Sequence, residues 1–85
     1  MPNPFNPVTV IKYQLPDPAE VTLAIYDVSG RQVRKLVDSQ RMIAGAHGAT
    51  WDGRDNSGNP VGSGVYFYVL RAGGLTDARR MVLLK

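Results

Sequence analysis

Val65-Tyr66-Phe67-Tyr68-Val69-Leu70-Arg71-Ala72 is the stretch that decides how this chain folds. In an extended backbone successive side chains point to opposite faces. Val65, Phe67 and Val69 therefore share one face, and Tyr66, Tyr68 and Leu70 share the other. β-Branched and aromatic residues with no polar face predict a strand that is central in a sheet or covered on both sides. Turn chemistry bounds it. Gly73-Gly74 reverses the chain, so that Leu75 to Leu84 pairs back. Upstream, nearly every residue from Gly53 to Gly64 is a turn former, and Val61 is the one apolar residue among them.

The same alternation continues toward the N-terminus. In Val8 to Leu15, Thr9, Ile11, Tyr13 and Leu15 face one way, and Val10, Lys12 and Gln14 the other. Pro16-Asp17-Pro18 ends that strand. Val21, Leu23 and Ile25 then alternate with Thr22, Ala24 and Tyr26. Asp27-Val28-Ser29-Gly30 supplies a turn, with an aspartate that can accept from backbone N–H groups and a glycine for positive φ. Arg31 to Val37 returns as the partner strand, with Val33 and Leu36 inward. Asp38 to Gly45 is too short for a helix and reads as a loop crossing between sheets. Ala46 to Asp52 is a strand anchored by Trp51.

The expected fold is all-β: an antiparallel immunoglobulin-like β-sandwich of about seven short strands. Val21, Leu23, Ile25, Val33, Trp51, Tyr66, Tyr68 and Leu70 should form its core. The 85 residues make a single domain, 1–85, with residues 1–7 as a proline-rich edge or linker. The spacing and flanking basic residues of a PxxP ligand are missing there.

A chain of this length has a small core. With no cysteine, it has no disulfide to reinforce that core and no thiol chemistry. Its net charge of +3 comes from basic residues scattered along the sequence, which is not the clustered footprint of a nucleic-acid binder. No apolar run approaches the roughly 20 residues of a membrane-spanning helix. Met1 directly precedes the proline-rich edge, which reads as the start of a fragment. Any export signal would then lie upstream.

Candidate chemistry is sparse. Asp52, Asp55, Asn56 and Ser57 offer oxygen ligands in a glycine-rich loop, but Arg54 interrupts the calcium-loop spacing and no bidentate glutamate follows. Asx-type turns account for the same residues. His47 is the sole histidine and has no triad partners at a recognisable spacing. Glu20 is the sole glutamate, so a paired-carboxylate glycosidase is poorly supported. The glycines of residues 58–64 lead into no helix that could cradle phosphate. No enzymatic activity, cofactor or metal is expected. Exposed aromatics stacking on sugar would make a carbohydrate- or surface-binding module, and core packing is the competing use of the same rings.

Five segments recur in a fixed order that resembles the immunoglobulin-like (type A) C-terminal sorting domain of the type IX secretion system. It is also similar to the Ig-like domain of the flagellar hook-capping protein. The segments are Pro2-Asn3-Pro4, then Tyr26-Asp27 with Gly30-Arg31, then Trp51-Asp52-Gly53-Arg54-Asp55 through Gly58, then Gly64-Val65-Tyr66, and last Arg80-Met81-Val82-Leu83-Leu84-Lys85. The sorting resemblance implies a secreted or cell-surface cargo protein that crosses periplasm and outer membrane. Its partners would be the outer-membrane translocon and its shuttle proteins, with a cargo domain upstream in the same chain. Recognition would fall on Arg79, Arg80, Met81, Val82, Leu83, Leu84 and Lys85. The turn motifs would be held by Asp27, Gly30, Asp52, Gly53, Asp55, Gly58 and Gly64. The hook-cap resemblance implies instead a structural module within a larger assembly.

Overall fold

A computed structural model describes residues 8–84. They form β1 (Thr9–Leu15), β2 (Ala19–Tyr26), β3 (Gln32–Met42), β4 (Gly45–Trp51), β5 (Gly64–Ala72) and β6 (Leu75–Leu83). All pairings are antiparallel. The strands make a four-stranded sheet of order β3-β2-β5-β6 and a two-stranded sheet of β1 and β4. This is the all-β immunoglobulin-like sandwich expected, with six strands among the described residues rather than about seven. The proline-rich edge expected for residues 1–7, and Lys85, lie outside the described residues. No helix among the described residues is long and apolar enough to cross a membrane.

The core is where the inward faces of the two sheets meet. β2 contributes Val21, Leu23 and Ile25, all without exposed surface, and β4 contributes Trp51. Val33, Tyr66 and Leu70 join them, as alternation predicts. Ile11, Leu15, Val37, Ala72 and Leu83 complete the cluster. Leu83 is among the largest fully buried side chains, so the last strand is part of the core itself.

Three expectations are corrected. Asp38 to Gly45 is not a crossing loop. β3 continues to Met42, and only Ile43 and Ala44 separate it from β4. The β2–β3 ladder carries register shifts, and Ser39 adopts a positive φ of 50° while its N–H donates to Thr22 Oγ1 at 3.2 Å. These irregularities break the period-two pattern by which the strand could have been read. They also turn Val33 and Val37 fully inward and leave Leu36 half-buried. Tyr68 is half-buried against the core rather than within it, because the two-stranded sheet does not reach far enough to cover it. β5 is central in its sheet but not covered on both sides, since no sheet among the described residues lies over Val69. It lies on the outward face with Val65 and Phe67, flanked across the strands by Ala24 and Ala78, and those neighbours leave it half-buried.

Candidate functional site

Two turns of the same build punctuate the sandwich, Asp27-Val28-Ser29-Gly30-Arg31 and Asp55-Asn56-Ser57-Gly58-Asn59. In the first, Asp27 Oδ1 accepts from Ser29 N at 2.9 Å, from Arg31 N at 3.1 Å and from Ser29 Oγ at 2.6 Å. In the second, Asp55 Oδ1 accepts from Ser57 N at 2.9 Å and Asn59 N at 3.0 Å. The backbones match as well. Asp27 N donates to Arg31 O and Gly30 N to Asp27 O, while Asp55 N donates to Asn59 O and Gly58 N to Asp55 O. Gly30 has φ 86° and Gly58 φ 85°, a left-handed conformation that glycine adopts at little cost. The hydrogen bonds from Ser29 and Arg31 hold the Asp27 carboxyl below the usual carboxylate range, the Ser29 hydroxyl being the strongest cause. The shared Asp-x-Ser-Gly string was readable in the sequence as an internal repeat.

Asp52 belongs to a neighbouring cluster. Its Oδ1 accepts from Arg54 N at 3.1 Å and from Arg34 Nη1 at 3.1 Å. The Arg34 Nη1 also donates to Arg54 O at 3.2 Å, and Arg54 Nη1 donates to Gly58 O at 2.9 Å. Asn56 N donates to Val33 O at 3.0 Å, and Asn56 Oδ1 accepts from Lys35 N at 2.9 Å. Asn56 thus occupies the outer edge of β3 as a single strand residue would. The carboxylates of Asp52 and Asp55 point at separate N–H groups rather than at a common centre. Among the described residues no three His, Asp or Glu side chains converge on a metal position. Gly53 is buried beside Trp51, and its carbonyl accepts from Val61 N at 2.9 Å; Gly64 opens β5.

The structure divides the terminal stretch between two faces. Met81 and Leu83 turn inward, half-buried and buried respectively. Arg80 and Val82 turn outward opposite Phe67 and Val65 of β5, and Leu84 is exposed just beyond the strand end. Arg79 is on the inward side, where its Nε donates to Asp77 Oδ2 at 3.0 Å, and this bond raises the guanidinium pKa above its ordinary value. Arg79 and Arg80 therefore do not form one basic site, although they are adjacent in sequence.

His47 lies on the inward face of β4, stacked on Tyr13 with ring centroids 5.5 Å apart and planes at 25°. Its Nε2 is 2.8 Å from Ile43 O. Tyr13 donates its hydroxyl proton to Met42 Sδ at 3.1 Å, and burial pushes the phenol pKa up. Both rings line an open cavity of about 510 Å³ between β1 and β6. Ile11 to Gln14 form one wall, Leu75, Asp77 and Arg79 the other, and Tyr68 and Leu70 part of the floor.

The model of the FlgD Ig-like domain family matches residues 6–74, which include β1 through β5. A crystal structure of FlgD from P. aeruginosa superposes with a TM-score of 0.70 at 26% identity, covering 89% of this chain and 60% of that one. The chain thus spans less than two thirds of that FlgD. Among curated proteins no similar sequence is found.

Proposed function

The chain belongs to the FlgD Ig-like domain family, and we propose that it acts as a non-catalytic structural module of a hook-cap-like assembly protein. The observation that carries this reading is the likeness to FlgD in both sequence and fold. The chemistry of the surface agrees with it. The aspartates hold turns, the Ser29 hydroxyl is spent on one of them, and the paired rings hold the core. A rigid sandwich with hydrogen-bonded turns suits a spacer or docking unit whose work is to hold neighbouring parts at a fixed geometry.

The test uses the whole polypeptide in its own host, tagged outside this domain. If it is an assembly module, the tagged protein will be found in an extracellular axial structure, and deleting residues 8–84 will block that structure from forming. Normal assembly after the deletion would sink the reading.

A second reading has one observation in its favour. β6 lies beyond the matched residues, and it presents Arg80, Val82 and the following Leu84 to solvent. In the sorting reading this strand would be read by an outer-membrane translocon or its shuttle proteins, and the cargo domain upstream would be carried to the cell surface or medium. Deleting Val82 to Lys85 cannot test this cleanly, because Leu83 would leave the core. The sharper variant is Arg80→Glu with Val82→Thr, fused to a reporter. Sorting requires export to fail while the domain's thermal midpoint holds; export at the unaltered level would refute it.

A further inference from the structure

We propose that the open flank between β1 and β6 is a strand-acceptor groove. Its occupant would be an extended, acidic segment of another protein, added along the free edge of β1. Among the described residues a two-stranded sheet lies over a four-stranded one, so the upper layer leaves part of the lower one without a strand above it. β4 sits on the β3 side, joined to it through Ile43 and Ala44 alone. β1 is therefore the inner margin of the gap, and four consecutive residues, Ile11 to Gln14, line it. Side chains from both faces of β1 border the cavity, which also reaches Ala46 and His47 of β4. Among the described residues β1 pairs only with β4. Such an edge offers unpaired N–H and C=O groups to an incoming strand.

The groove also has a floor for alternate side chains. Leu70 is buried, while Tyr68 is half-buried and Leu75 about half exposed, so an added strand finds apolar surface beneath its inward residues. This is the surface that a third strand of the upper sheet would cover.

Charge selects the occupant. Lys12 is the central residue of β1, exposed on its outward face, and has no ion-pair partner among the described residues. A second copy of the chain pairing antiparallel in centred register would set Lys12 opposite Lys12, which is unfavourable. An acidic residue in the same position is favourable. This inference does not depend on whether the domain serves assembly or sorting.

The test is a titration of the full 85-residue chain with two capped peptides of about eight residues. One alternates valine with glutamate, the other valine with lysine. Amide hydrogen exchange is followed residue by residue. The proposal requires that the β1 amides facing away from β4 exchange freely in the chain alone. The glutamate peptide should slow them, with shifts at Tyr68 and Leu75, and should bind about fivefold tighter than the lysine peptide. Lys12→Glu should reverse that preference, and Lys12→Gln should abolish it. Free-chain amides already protected would overturn the proposal, as would equal binding of the two peptides, an unaltered preference in both variants, or protection confined to β3 or β6. Self-association of the chain through β1 would overturn it too.

Discussion

Trp51 and Tyr66 meet edge to face, with ring centroids 5.1 Å apart and planes at 72°, and each ring ties its polar end to a loop carbonyl. Trp51 Nε1 donates to Arg54 O at 2.9 Å, and Tyr66 OH donates to Gly62 O at 2.7 Å. The pair therefore fastens both ends of the connection between β4 and β5 to the core. Trp51→Ala should cost about 3–5 kcal/mol, a large share of the total stability of so small a domain. Urea denaturation measures it. A loss below about 1 kcal/mol would show that the ring is not the anchor described.

Tyr66→Phe separates the hydroxyl from the ring. The ring keeps its contact with Trp51 and only the bond to Gly62 O is lost. Gly62 is exposed, so water can take the vacated place. The expected cost is about 0.5–1.5 kcal/mol. A loss as large as that of Trp51→Ala would mean that the hydroxyl, rather than the ring, organises the loop.

The Asp27 turn should leave a signature in acid. Its folded pKa is lowered, so its contribution to stability is present above the unfolded value of about 3.9 and lost as pH falls through the folded value. Asp27→Asn removes the titration but keeps an acceptor oxygen. The stability of the parent chain should therefore fall further than that of the variant between about pH 5 and pH 2. Parallel profiles for the two proteins would contradict this.

Gly30 and Gly58 test the twin turns through the backbone alone. A Cβ at either position would meet no atom within 4 Å, so any penalty comes from φ rather than from a clash. Alanine should cost about 1–2 kcal/mol at each site, and asparagine, which visits this region more readily, less. Two different penalties would show that the turns, alike in hydrogen bonding, are not alike in backbone strain.

Calcium should leave the thermal midpoint unchanged. Asp52 and Asp55 already accept from N–H groups, and a bound ion would have to displace those bonds. A midpoint that rises with calcium and falls with chelator would reveal a site formed by rearrangement of the loop.

Much of the fold was legible because its signals are local. Period-two alternation depends only on neighbouring residues, so β2 and β5 and the inward places of Val21, Leu23, Ile25, Tyr66 and Leu70 could be read directly. The turn signals of Asp27-Val28-Ser29-Gly30 and Asp55-Asn56-Ser57-Gly58 are also local, because each aspartate bonds within its own turn. β3 was misread beyond Val37 because a bulge breaks the alternation, and a bulge is set by the partner strand.

Tertiary structure alone decided where alternation leads. A strand states that it has two faces and not which of them is covered, since coverage depends on how far the opposite sheet extends. Among the described residues the upper sheet stops at β1, so Tyr68 stays half-buried and the flank beside Lys12 is open. Arg79 and Arg80 part company by alternation itself, on opposite faces of one strand. The residues determined most strands and the turns by themselves; the number of described strands in each layer, a long-range property, determined which surface is left uncovered.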